Sequence, residues 1–242
     1  MSNGLKILKV NRLFQPLIPF YRKYPFKSPV SFNSADDRGC IDFELPFFYN
    51  RIPKAANSTV MATLASIRFN SEIISAQAKK MFRYPSSLTS NELKKFDDLF
   101  KFTVVRDPFT RVLSAYLNKI KKRPKKNALI KSFDEFINKL ENGDLYINAH
   151  WAPQTALLLI PVESFDFIGK MENFDQDMNH ILKNLNQPVT ETTIKNTLHH
   201  ATGANDKLKK YYSVDLAKRV VALYQSDFDA FNYDDQYIFE LL

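Results

Sequence analysis

The chain has 242 residues, 45% hydrophobic and 25% charged, enough apolar material for one sizeable core and incompatible with a disordered or fibrous protein. Its five glycines and single cysteine, Cys40, exclude a collagen-like chain, an internal disulfide and a cysteine-rich zinc site, and point to a reducing compartment. The formal charge of +8 is concentrated in two acid-free segments, six cations in residues 1–35 and seven in residues 119–131, leaving the remainder at −5; such islands suggest local attraction for an anionic polymer, an anionic membrane surface or a phosphorylated ligand rather than a nucleic-acid wrapping surface.

Residues 1–45 carry Pro16, Pro19, Pro25 and Pro29 with no sustained periodicity and read as an extended basic arm ahead of one domain over residues 46–242. The apolar stretch at 10–21 is broken by Arg12, Pro16 and Pro19, so no secretory signal is expected. Phe47, Phe48, Tyr49 and Ile52 predict a buried strand, and Val60, Leu64 and Ile67 a helix after a short loop. A second such unit starts at Phe100: Phe102, Val104 and Val105 form a strand, Asp107 caps a helix opened by Pro108, and Phe109, Val112, Leu113, Tyr116 and Ile120 make its buried face. The opposite face offers Arg111, Ser114 and Asn118.

Ser132 and Glu135 have capping-box spacing before a helix with Phe133, Phe136, Ile137 and Leu140 inward. The uncharged run at 145–162 contains Asn148, His150, Pro153, Gln154 and Pro161, which disfavours a membrane helix. Residues 165–170 read as a third strand, followed by a helix with Phe174, Met178, Ile181, Leu182 and Leu185 inward, and a last helix runs over about 214–226. Strands alternating with helices predict a single-domain α/β three-layer sandwich around a central parallel sheet. The expected setting is cytoplasmic, with peripheral contact at an anionic membrane surface as a second option.

The loop Pro53-Lys54-Ala55-Ala56-Asn57-Ser58-Thr59 joins a strand to a helix N-terminus, where unpaired N–H groups and the helix dipole favour phosphate or sulfate. Lys54 adds a charge, and Ser58 and Thr59 add hydroxyls. It is not a Walker A loop, because both glycines are absent and the lysine precedes the turn. Arg106 leaves the next strand and Ser114 lies two turns into its helix, so the second loop repeats the logic and could hold a second phosphate.

Together these residues resemble the sulfotransferases that use 3′-phosphoadenosine 5′-phosphosulfate (PAPS), and among them the carbohydrate branch (sulfotransferase family 2). Residues 53–59 look like that family's 5′-phosphosulfate loop and residues 105–116 like its 3′-phosphate motif; residues 150–154, 165–173 and 227–233 are similar to further landmarks. The resemblance implies a P-loop-NTPase-like fold and PAPS as sulfate donor. It implies Lys54 at the bridging oxygen, Ser58 and Thr59 at the 5′-phosphate among the loop residues Ala55, Ala56 and Asn57, and Arg106 with Ser114 at the 3′-phosphate. Ala56 stands where many members have glycine. The segment at 199–212, with Lys207, resembles in position the segment that covers the nucleotide.

Sulfuryl transfer to a hydroxyl needs an in-line nucleophile, a base and stabilisation of the leaving oxygen. Lys54 supplies the last, and His150, beside Trp151 in a family-like segment, is the expected base. No clustered acid motif calls for a metal. The expected function is PAPS-dependent sulfation of a carbohydrate, acidic acceptors included, with no nucleic-acid partner. The alternative is a nucleotide- or anionic-polymer-binding protein of the same fold without transfer activity.

Overall fold

The computed structural model describes residues 12–188 and 202–242, so the histidines at 199–200 lie outside the described residues. A four-stranded sheet has the order β1 (Gly39–Asp42), β2 (Phe47–Asn50), β3 (Phe100–Val105), β4 (Phe167–Lys170). β2, β3 and β4 are parallel, as expected, with Asn50 opposite Thr103 and Val105 opposite Lys170. β1 runs antiparallel to β2, so the sheet is mixed rather than wholly parallel. The reason is the short link at 43–46, in which Asp42 Oδ1 accepts from the Glu44 and Leu45 N–H groups at 3.0 and 2.6 Å; a link this short reverses the chain but cannot make a parallel crossover.

β1 lies within the stretch read as an extended arm, and that stretch is structured from Arg12 onward. Short helices at Pro19–Lys23 and Phe32–Asp36 and the segment between them bury Phe20, Tyr21, Phe26 and Phe32. These rings join Ile41 of β1 and Phe48 of β2 in one apolar cluster. Proline spacing concealed this, because the burial rests on aromatic residues without a helical or strand period.

β2 obeys the two-residue period of a strand. Phe48 faces the cluster just described, whereas Phe47 and Tyr49 face a second one made with α1 (Asn57–Phe69), Phe102 of β3, and Met178, Ile181 and Leu182. Apolar layers cover both faces of the sheet. A third cluster joins α2 (Pro108–Ala115), α3 (Phe133–Glu141), α5 (Val214–Phe231) and Trp151, whereas α4 (Phe174–Asn184) packs on β4's side. α2 continues as a π-helical stretch, Tyr116–Lys121. α5 runs past the expected end at 226 and kinks at Tyr224 (φ −120°), whose hydroxyl donates to Trp151 O at 2.5 Å.

Candidate anion-binding active site

The parallel pairing of β2 and β3 brings the loops after both strands to the same end of the sheet, where ligands bind in open α/β folds. After β2 the chain turns through Lys54 (φ 71°) and Ala56 (φ 49°), both left-handed, a region costing an L-residue about 1–2 kcal/mol. Ala56 is the N-cap of α1 and makes no side-chain cap. The first N–H groups of α1, at Asn57 and Ser58, therefore lack both an intrahelical acceptor and a capping oxygen, which leaves a helix terminus suited to an anion. Asn57 is buried, and its Oδ1 has no hydrogen-bond partner.

At the second loop Asp107 caps α2 as expected, accepting from Thr110 N at 2.8 Å, so anion binding here falls to side chains. Burial pushes Asp107 up to about 6, and it also accepts from the Tyr237 hydroxyl at 3.0 Å. Arg106, 6% exposed, is fixed from several directions. Its Nε donates to Thr110 Oγ1 (3.0 Å), Nη1 to Lys54 O (3.3 Å) and Nη2 to Asn205 Oδ1 (2.9 Å). Its backbone N–H and C=O pair with the Gln154 amide at 2.9 and 2.8 Å. Ser114 Oγ lies 2.9 Å from Thr202 Oγ1, and Lys207 Nζ donates to Thr202 O at 2.7 Å. Residues 202–207 thus sit over Arg106 and Ser114, and Lys207 braces that segment.

Arg111, fully buried, joins both loops to the segment around His150. Its guanidinium donates to Pro53 O (3.1 Å), Ala152 O (2.8 Å) and Ala149 O (3.2 Å). His150 Nδ1 lies 2.8 Å from Asn148 Oδ1, which also accepts the His150 N–H at 3.0 Å. A carboxamide oxygen fixes Nδ1 as the protonated nitrogen, so Nε2 carries the lone pair.

The electrostatics are positive around Lys54 and His150, whereas Glu172 and Asp107 stand beside Arg106. Burial, then Arg106, Lys119, Lys122 and Arg111, bring Lys54 down to about 8. Burial, then Lys119, Arg38, Lys54 and Arg111, bring His150 down to about 3. Lys79, whose Nζ donates to Ser58 Oγ at 3.4 Å, is lowered by burial and by Arg51 and Arg38. Like charges held this close await an anion. Among the described residues no group of three or more His, Cys, Asp or Glu side chains is placed to hold a metal ion. No helix of the described residues is long and apolar enough to cross a membrane.

The structure thus brings together Lys54, residues 55–59, Arg106, Ser114, His150 and Lys207. Sequence reasoning passed over Arg38, Arg51 and Lys79, and the available signal was slight: Arg51 directly follows β2 and stands three residues before Lys54.

The family model for the sulfotransferase family matches residues 40–234. Mouse (Mus musculus) carbohydrate sulfotransferase 14 is 29% identical over 168 residues, covering 59% of this chain and 45% of its own length. Human (Homo sapiens) carbohydrate sulfotransferase 9 is 26% identical over 231 residues, 78% and 52% of the two chains. Rat (Rattus norvegicus) carbohydrate sulfotransferase 11 is 26% identical over 196 residues, 68% and 54%. The chain spans about half the length of the curated relatives it matches. No solved structure gives a significant match.

Proposed function

The chain belongs to the sulfotransferase family, and on that premise we propose that it transfers a sulfuryl group from PAPS to a hydroxyl of a carbohydrate. The observation that carries this reading is the convergence of Lys54, the uncapped N-terminus of α1, Arg106 and His150 at the shared end of β2 and β3, with Arg106 Nη1 only 3.3 Å from Lys54 O. Pockets this close suit the two ends of one doubly phosphorylated nucleotide. The residues fit such a ligand: the N–H groups of α1 and the buried cations are without a compensating carboxylate on the Lys54 side.

When bound, PAPS supplies an activated sulfuryl group and a phosphate leaving group. In this reading Arg106 and Ser114 hold the 3′-phosphate, with Thr202, Asn205 and Lys207 closing over it. Ser58, Thr59 and the α1 N–H groups at residues 57–58 hold the 5′-phosphate, with Ala55 and Ala56 shaping the turn. Lys54 stabilises the charge that grows on the bridging oxygen as its bond to sulfur breaks. His150 Nε2 takes the proton of the acceptor hydroxyl as its oxygen bonds to sulfur. Arg111 sets the distance between the two halves by holding Pro53 and the carbonyls on either side of His150.

Titration calorimetry with adenosine 3′,5′-bisphosphate tests the site. The wild-type chain binds, and Arg106→Ala weakens binding at least tenfold, since a lost charge-assisted contact is worth about 1.5–3 kcal/mol. Equal binding by the variant sinks the assignment. Labelled sulfate transfer to a glycan panel tests the reaction: nucleotide binding without transfer to any acceptor moves the reading to a binding protein of this fold.

A further inference from the structure

A cavity of about 560 Å³ lies between the π-helical stretch after α2, the start of α3 and the residues just before α5. Its lining combines the rings of Tyr116, Phe133 and Tyr211 with the cations Lys121, Lys131 and Lys210. The acids at its mouth are already engaged. Asp134, also in the lining, takes Arg219 at 2.7 Å, and Glu135 accepts the N–H groups of Lys131 and Ser132. Lys121 donates to the Tyr211 hydroxyl at 2.6 Å, and Lys131 and Lys210 stand exposed. Lysines gathered in a recess in this way suit a phosphate oxyanion.

The loop over residues 122–131 adds a second feature. Leu129 is 92% exposed, while Ala128 and Ile130 on either side of it line the cavity. Single exposed leucines are ordinary on a protein surface, but the backbone that displays this one is fastened. Asn127 Nδ2 lies 3.1, 3.4 and 3.0 Å from the carbonyl oxygens of Lys119, Ile120 and Arg123. Asn127 O accepts from Ile130 N at 2.9 Å, which makes Ala128 and Leu129 the tip of a tight turn. Exposed Lys125 and Lys126 precede that tip and exposed Lys131 follows it. An apolar tip flanked by cations meets anionic headgroups and the acyl layer beneath them at once. A soluble polyanion would use the charges and leave the leucine in water.

We infer that this face docks on an anionic lipid bilayer, with the phosphate of a phospholipid headgroup seated among Lys121, Lys131 and Lys210 and Leu129 entering the acyl layer beside it. None of these residues belongs to the site assigned above to PAPS, so the docking holds or fails independently of the transfer reaction.

Sedimentation of the full chain with vesicles tests the docking. Each cation near an anionic surface adds about fivefold in affinity, so vesicles of phosphatidylcholine with about 30% phosphatidylglycerol bind at least tenfold more tightly than phosphatidylcholine alone. Lys131→Gln combined with Lys210→Gln cuts the affinity for the anionic vesicles at least tenfold, and Leu129→Gln cuts it at least threefold. The altered side chains are exposed, and an unchanged thermal midpoint reports that each variant is folded; should the lysine pair fail to fold, Leu129→Gln decides alone. Equal binding to the two vesicle types overturns the proposal, as does undiminished vesicle binding by a folded variant. A loss in the lysine pair with none in Leu129→Gln identifies a surface for soluble polyanions and overturns it too. Glycerol 1-phosphate binding the wild-type chain as tightly as the anionic vesicles do makes the cavity a site for free phosphate esters and likewise overturns the docking.

Discussion

At Lys54 the ammonium has a pKa of about 8 before any ligand arrives, because burial and Arg106 oppose its charge; at His150 burial and Lys119 hold the ring neutral down to about 3. Both shifts are depressions of a cation, so both charged forms are lost as pH rises through those values. A bound polyanion raises both. The pH dependence of kcat/KM, which reports the free enzyme, should fall on the alkaline side near 8, and the corresponding limb of kcat should lie higher. The acid limb of kcat should likewise lie above that of kcat/KM, since His150 must be neutral to accept a proton. Lys54→Ala should lower kcat about 10²–10³-fold and remove the alkaline limb near 8; initial rates from pH 5 to 10 decide this, and an unchanged limb in the variant assigns it elsewhere. Lys54, Arg106, Ser114 and His150 were legible in the sequence because each stands at a fixed offset from a strand end or in a local motif. Arg38, Arg51 and Lys79 were not, because each alone looks like a surface charge and only the β1–β2 pairing and the fold around α1 assemble them.

Among the elements, α1 and α2 both follow parallel strands but begin differently. Asp107 neutralises the start of α2, whereas α1 starts on a left-handed alanine with no cap. Ala56→Gly relieves a strain of about 1–2 kcal/mol while adding backbone entropy of comparable size to the unfolded chain, so stability should change by less than about 1 kcal/mol and nucleotide binding should persist. Ala56→Val places a β-branched side chain at φ 49° and should cost more than about 2 kcal/mol, read as a lower denaturation midpoint. Arg111→Met strands the carbonyls of Pro53, Ala149 and Ala152 and leaves Asp227, which faces Arg111 in the interior, with less compensation. The expected loss is about 3–5 kcal/mol, and a loss below about 1 kcal/mol would show that these bonds do not hold the loops. The strands and helices around the site were readable from period and capping. β1 was hidden in a proline-rich stretch, and its direction was fixed by a link whose turn chemistry resides in Asp42.

For the whole molecule, the cations of the second basic island, residues 119–131, have different fates. Lys119 and Lys122 act on Lys54 from within electrostatic reach, whereas Lys121 donates to the Tyr211 hydroxyl at 2.6 Å and lies over its ring. Lys119 and Lys122 thus add their charge to the Lys54 end of the sheet. Association with an anionic acceptor should slow several-fold as ionic strength rises from about 0.05 to 0.3 M, while a neutral acceptor should be little affected; kcat/KM at two salt concentrations separates them. The three-layer arrangement followed from alternating strands and helices, but the covering of the sheet by residues 19–32 did not, since aromatic burial there has no period to read.

Gln154 meets both backbone groups of Arg106 with one side-chain amide, and its own N–H is held by Asp227 at 2.7 Å. A carboxylate at this position would have no N–H to offer the carbonyl, and asparagine is a methylene shorter, so neither neighbour in chemical space reproduces the pair. Grafting the 148–155 segment from a homologue would therefore keep the Arg106 backbone in place only when the graft brings a glutamine in register with the host's arginine.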